Sequence, residues 1–332
     1  MLIRFWPKKT NVRFMSLRFA GVVLSTLMIA ASAFLLGTRG LNFGVDFAGG
    51  TVMELEKTDT VTVPAVRAAM PINAEVNSAS GTDGREIVVI KFGEAPASML
   101  GEEFQTLTPA QQAERASGAT NELIVSTLES EFGLSQPNGD FLRNDSVGPK
   151  VSKELFTDGI TALVVALAMM LVYIWFRFQW QFSVGAIAAL AHDVIITLGM
   201  FSLLWIEFNL TSIAALLTII GYSMNDTVVV FDRIREDRRK YKKMPDREVI
   251  DMSLNVTLSR TLLTSGTTLI SLFAIYFLGG PVLQGMSFAL IFGIFIGTYS
   301  SIFIASALVL SLGMDFTKKP VEEVQGFTGT GV

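Results

Sequence analysis

Six apolar runs organise the chain, at 17–38, 157–176, 182–205, 208–231, 261–279 and 285–312. A membrane-spanning helix needs about 20 predominantly apolar residues, and each run approaches or exceeds that length. No Asp, Glu, Lys, Arg or His occurs from Thr261 to Met314. The cluster Gly279-Gly280-Pro281 divides this uncharged stretch into the last two helices, because Gly-Pro clusters end helices. Between the first and second runs the period changes. Thr51–Lys57 alternates as a strand does, and Pro64–Met70 fits a short helix with proline in its first turn. Ala74–Ser80 and Glu86–Phe92 are predicted strands separated by the turn Gly81-Thr82-Asp83-Gly84. Ala119–Phe132 has helical spacing at Leu123, Ile124, Leu128 and Phe132, and Phe141–Val147 makes a last strand. The order β-α-β-β-α-β is the ferredoxin-like split pattern. Residues 94–118 form a polar insertion within it.

Composition sharpens the class. Half of the 332 residues are apolar and only 17% are charged, against about 25% in soluble domains. Cysteine is absent, which excludes disulfides, thiol catalysis and thiolate metal sites, and a single histidine, His192, excludes a multi-histidine metal centre. No cofactor is expected. The net charge of −4 averages two unlike compartments. Arg4, Lys8, Lys9, Arg13 and Arg18 flank the first run, Arg177 follows the second, and Lys318 and Lys319 follow the last. The segment after the fourth run carries Arg233, Arg235, Arg238, Arg239, Lys240, Lys242, Lys243 and Arg247. Six crossings put all of these on one side, and the positive-inside rule makes that side cytoplasmic. The expected plan is a cytoplasmic N-terminus (1–16), a first helix (17–38) that serves as an uncleaved signal anchor, and an external domain (39–156). A five-helix bundle (157–312) with a basic loop at 232–257 follows, then a cytoplasmic tail (313–332) whose end is expected to be disordered. The basic stretch reads as an anchor beside anionic lipid rather than as a nucleic-acid site.

Few ionisable residues fall inside the apolar runs, and each costs roughly 2.5–3.5 kcal/mol at a helix centre unless it finds a partner or water. His192 and Asp193 lie midway along the third run, Asp226 in the inner half of the fourth, and Arg260 at the start of the fifth. Each has a structural reading: a helix-pinning pair for His192 and Asp193, a bundle hydrogen bond for Asp226, and a cation reaching the interface for Arg260. The functional reading is a proton relay. Asp and His gain and lose protons, while an arginine supplies a fixed charge that holds a carboxylate ionised. Depth alone favours Asp193 as the central carboxylate. Gly185, Ala186, Ala188 and Ala189, and the GxxxG pair Gly293 and Gly297, permit close helix packing.

An ordered set of motifs resembles one family. It includes GVDFAGGT (Gly44–Thr51), VGP (Val147–Pro149), FRFQW (Phe176–Trp180), ALAHDVIITLG (Ala189–Gly199) and GYSMNDTVVVFDRIRE (Gly221–Glu236). LSRTLLTSGTT (Leu258–Thr268) and FLGGPVLQG (Phe277–Gly285) complete it. The chain is similar, from the first helix to about Met314, to the SecF subunits of the SecD–SecF protein-export complex, within the resistance-nodulation-division (RND) superfamily. The resemblance implies an RND-type half of six helices and a periplasmic ferredoxin-like α+β domain in a bacterial inner membrane. It implies use of the proton-motive force, with SecD, to assist late translocation and release of preproteins. SecD, the SecYEG channel, the preprotein and, as a further candidate, YajC are the implied partners, beside protons and the bilayer. The family's proton-path residues correspond to Asp226 and Arg260, with a further carboxylate supplied by SecD; His192 and Asp193 become secondary. The motif residues Gly44, Asp46, Gly49, Gly50 and Asn225 belong to the same resemblance. GVDFAGG lacks the Lys-Ser/Thr of a phosphate loop, so Asp46 reads as a cap where the chain leaves the first helix.

Two other classes stand beside this one. Asp193 and Asp226 on adjacent helices could serve an intramembrane aspartyl protease, but Ser-Met-Asn-Asp stands where such enzymes have GxGD. A half of a proton-coupled RND small-molecule exporter shares the membrane plan, and would also need a partner half.

Overall fold

The computed structural model describes residues 10–80, 85–134, 140–279 and 281–314. The basic residues Arg4, Lys8, Lys9, Lys318 and Lys319, the turn at 81–84, Gly280 and the tail at 321–332 lie outside the described residues. Helix α1 (Arg18–Thr38) is followed by β1 (Asn42–Phe43) and a single-turn α2 (Val45–Ala48). The extramembrane domain then runs β2 (Gly50–Glu56), α3 (Val63–Ala69), β3 (Ala74–Ser80), β4 (Glu86–Phe92), α4 (Glu102–Gln105), α5 (Pro109–Phe132) and β5 (Phe141–Val147). Its strands form one antiparallel sheet in the order β3-β4-β2-β5, the ferredoxin-like topology expected from the element order. One sheet face carries Met53, Leu55, Val76, Val88 and Ile90, and packs on Val66 of α3 and Ile124 and Leu128 of α5. The alternation seen in the sequence is the signature of that single buried face.

Helix α5 begins at Pro109, ten positions before the residues with clear apolar spacing. Thr108 and Gln111 form a capping box, and Pro109 sits at the first helical position. Part of the polar insertion is therefore the first turns of this helix, whose exposed faces need no apolar residues.

The bundle consists of α1, α6 (Pro149–Arg177), α7 (Trp180–Leu204), α8 (Leu210–Lys240), α9 (Asp246–Leu278) and a last span. That span is made of α10 (Pro281–Ser300), a π-helical segment (Ser301–Ala305) and α11 (Ser306–Leu312). A two-residue strand, β6 (Glu207–Phe208), pairs in parallel with β1. The span boundaries differ from the hydropathy limits, because helices continue past the lipid where nothing stops them. The segment 232–257, expected to be a loop, is mostly helical: α8 extends to Lys240 and α9 starts at Asp246. Arg233 pairs with Glu236 at 3.1 Å and Asp237 at 2.9 Å, and such i,i+3 and i,i+4 pairs favour helix. Asp246 and Glu248 in the first turn of α9 suit its N-terminal dipole.

Close packing follows from small residues. A Cβ on Gly293 would overlap Ile219, and one on Gly297 would lie 3.0 Å from Ser223 Cβ, so α10 approaches α8 closely through both glycines. Gly50, the first residue of β2, has φ +115°, and a Cβ there would lie 2.5 Å from the carbonyl oxygen of Phe92. Gly50→Ala is expected to destabilise the domain by about 2–4 kcal/mol, because backbone strain and a backbone clash add. Gly40→Ala, at φ +73° with nothing within 4 Å, should cost about 1 kcal/mol. Thermal unfolding of the two full-length variants side by side checks the difference.

Candidate functional site

Helix α7 carries His192 and Asp193 into the bundle centre, where they are 2% and 0% exposed. Asp193 is saturated. Its Oδ1 lies 2.9 Å from His192 Nδ1, and its Oδ2 accepts from Ser223 Oγ on α8 at 2.5 Å and from Ser300 Oγ on α10 at 2.8 Å. His192 Nε2 lies 3.1 Å from Ser25 Oγ on α1, Ser25 Oγ lies 2.9 Å from the Tyr299 hydroxyl, and Tyr299 donates to the Gly21 carbonyl at 2.7 Å. Four helices thus meet on one carboxylate and one imidazole.

The contacts have one consistent direction. Tyr299 gives its hydrogen to Gly21, so Ser25 donates to Tyr299, and His192 Nε2 donates to Ser25.

Asp226 on α8 is different. It is 8% exposed, and its Oδ1 accepts from Thr261 Oγ1 on α9 at 2.7 Å. Its Oδ2 is buried and has no hydrogen-bond partner among the described residues. Ser301 is nearby, but it donates its single hydrogen to the Gly297 carbonyl at 2.7 Å. A buried carboxylate oxygen without a donor is costly as an anion. Ser301 also opens the π-helical segment, a distortion frequent at functional sites.

The two carboxylates therefore have distinct environments and no shared hydrogen bond among the described residues. Ser223, one turn before Asp226 on α8, and the adjacent Ser300 and Ser301 bring the two environments together. Arg260 adjoins Thr261 on α9 and is exposed on the outside of the bundle. No ion pair joins it to Asp226 among the described residues, although its charge acts on that carboxylate. Asn225 is likewise exposed.

Gly44, Asp46, Gly49 and Gly50 lie elsewhere, at the stalk between α1 and the domain. Asp46 caps a helix, but not the one expected. Its Oδ2 accepts from Leu210 N at 3.0 Å and so caps the start of α8, far along the chain from α1. Sequence reasoning missed Ser25, Ser223, Thr261, Tyr299 and Ser300. Isolated hydroxyls in apolar helices are the only signal they give, and most such hydroxyls bond to their own helix backbone.

Six helices long and apolar enough to cross a membrane, one α/β domain inserted after the first of them, and ionisable side chains at the centre of the bundle define a polytopic α-helical membrane protein. The particular membership is specific: the chain belongs to the SecD/SecF family of protein export membrane proteins. Residues 128–315 match the C-terminal membrane region of that family, and residues 34–56 match its GG motif. The chain is 42% identical over 321 residues to the protein translocase subunit SecF of Cereibacter sphaeroides, covering 94% of this chain and 93% of that one. It is 42% identical over 305 residues to the SecF subunit of Vibrio alginolyticus, covering 92% and 90%. The crystal structure of SecDF from Thermus thermophilus, described as a translocon-associated membrane protein, superposes with a TM-score of 0.74 at 35% identity. That match covers 93% of this chain and 40% of the longer SecDF chain.

Proposed function

We propose that this chain is the SecF half of a two-part, proton-driven device that works with SecD and the SecYEG channel on preproteins late in translocation. Asp226 accepts a proton, its attraction to the Arg260 charge falls, and α8 and α9 repack. The external domain moves with them and helps release the preprotein. The domain faces the periplasm and both termini face the cytoplasm, in keeping with the basic residues at 233–247. The relatives bear the name of a translocase subunit rather than of an enzyme.

The buried, unpartnered Oδ2 of Asp226 carries this reading. The exposed Arg260 supports a partner half beside α9, because a cation facing lipid at this depth is costly. The test is gradient-dependent release of an exported protein from vesicles containing the chain with SecD and SecYEG, comparing wild type with Asp226→Asn. Arg260 offers a second check. Arg260→Ala should remove most of the gradient stimulation, whereas Arg260→Lys, which keeps the charge, should retain a measurable part of it. Equal stimulation in Arg260→Ala and wild type would exclude the cation from the cycle.

A further inference from the structure

The stalk that carries the external domain is fastened to the same helix that carries Asp226. Gly44 N donates to the Phe208 carbonyl at 2.9 Å, β1 pairs with β6, and Asp46 Oδ2 accepts from Leu210 N at 3.0 Å, at the first position of α8. An acidic side chain there also complements the positive end of the helix dipole. Glycine at position 44 suits the closeness of the contact, since a Cβ on it would lie 2.9 Å from Glu207 Cγ and 3.1 Å from Asn209 Cβ. On the domain side, Lys91 of β4 forms an ion pair with Glu207. Phe47 packs edge-on against Phe156 of α6 and tilted against Phe208, with ring centroids 5.4 and 5.9 Å away. The second covalent link, from β5 into α6, passes the same place, where Ser152 Oγ reaches the Val45 carbonyl at 3.4 Å.

From Leu210, α8 runs unbroken to Asp226, about 24 Å further along at 1.5 Å per residue. A continuous helix transmits a shift of one end to the other. The carboxylate group of Asp46 touches that helix at its origin, and Asp226 lies in its body.

We infer that Asp46 is a positioning residue: its hydrogen bond to Leu210 N is the joint through which movement of α8 reaches the external domain. This rests on proton coupling at Asp226. The joint needs an acceptor, not a proton carrier, so the charge itself is secondary to the hydrogen bond.

Four variants in the complex with SecD and SecYEG, reconstituted in vesicles, test this: Asp46→Ala, Asp46→Asn, Leu210→Pro and Asp226→Asn. Leu210→Pro removes the donor from the other partner at a helix position where proline is tolerated, and Asn209 before it is already extended. Gradient stimulation of release is one readout. The other is the distance between spin labels at Ser78→Cys in the domain and Arg239→Cys on α8; both positions are exposed, and the chain has no other cysteine.

Asp46→Ala and Leu210→Pro should keep the basal release seen without a gradient, lose gradient stimulation to the level of Asp226→Asn, and broaden the label distance. Asp46→Asn, still an acceptor, should retain at least half of the stimulation. If Asp46→Ala and Leu210→Pro both keep full stimulation while Asp226→Asn loses it, the joint is wrong and proton coupling stands. If Asp46→Asn is as defective as Asp46→Ala, the charge rather than the hydrogen bond matters, and the joint is again wrong. If Asp226→Asn keeps its stimulation, proton coupling at Asp226 fails and the route lies elsewhere, and unchanged label distances in Asp46→Ala would then remove the joint independently. A loss of basal, gradient-independent release in both Asp46→Ala and Leu210→Pro would reduce Asp46 to a folding role and overturn the inference.

Discussion

Asp226→Asn is expected to assemble with SecD at normal levels and to release exported protein at one rate with or without a proton gradient. Asparagine has the size of aspartate, can still accept from Thr261 Oγ1, and cannot cycle between a charged and a neutral form. Its amide nitrogen takes the place of the unpartnered Oδ2, so the fold should be undisturbed. One proton crossing 100 mV releases about 2.3 kcal/mol, and a group that cannot load the proton forfeits that source entirely. The loss should therefore be complete rather than graded. Stimulation that persists in this variant would move the proton route to the His192–Asp193 pair or to SecD, and would leave Asp226 with a packing role.

Asp193→Ala is expected to fail in the opposite manner, through stability. The substitution deprives Ser223, Ser300 and His192 of their shared acceptor at a fully buried position. Interhelical hydrogen bonds in membranes average about 0.6 kcal/mol and reach about 1.7, so the two from Ser223 and Ser300 amount to roughly 1–3 kcal/mol. Leaving His192 Nδ1 buried without its partner adds about 1–3 kcal/mol. Heating detergent-solubilised variants and measuring the monodisperse fraction should place Asp193→Ala well below wild type, Asp193→Asn between them, and Asp226→Asn at wild type. If Asp193→Ala is as stable as wild type yet loses gradient stimulation, the structural role of Asp193 is wrong and the two carboxylates exchange places.

The contrast explains why depth along the helix misleads. Asp193 is the more central carboxylate by sequence position, but three donors occupy it. Asp226 is less deep and keeps an oxygen free of donors among the described residues. Apart from the adjacent His192, no property of the local sequence around either residue records that difference, because the other donors come from α8, α9 and α10.

What the sequence by itself determined is the part governed by local pattern. Six apolar runs specify six helices, because a backbone in lipid must satisfy its hydrogen bonds internally. The alternation of Thr51–Lys57 located β2 to within one residue, because a strand with one face on a core writes that period into the chain, and short strand-like runs bounded by turns located β3, β4 and β5 at their observed limits. The helical lengths beyond the lipid were also encoded, in the Thr108–Gln111 box and the ion pairs of Arg233, but as polar signals that hydropathy does not count. Only the tertiary structure decided which buried carboxylate is saturated, which helix Asp46 caps, and why glycine suits positions 44 and 50. Each of those depends on groups far apart in the chain meeting within about 3 Å, and hydrogen-bond partners at that separation leave no period in the sequence.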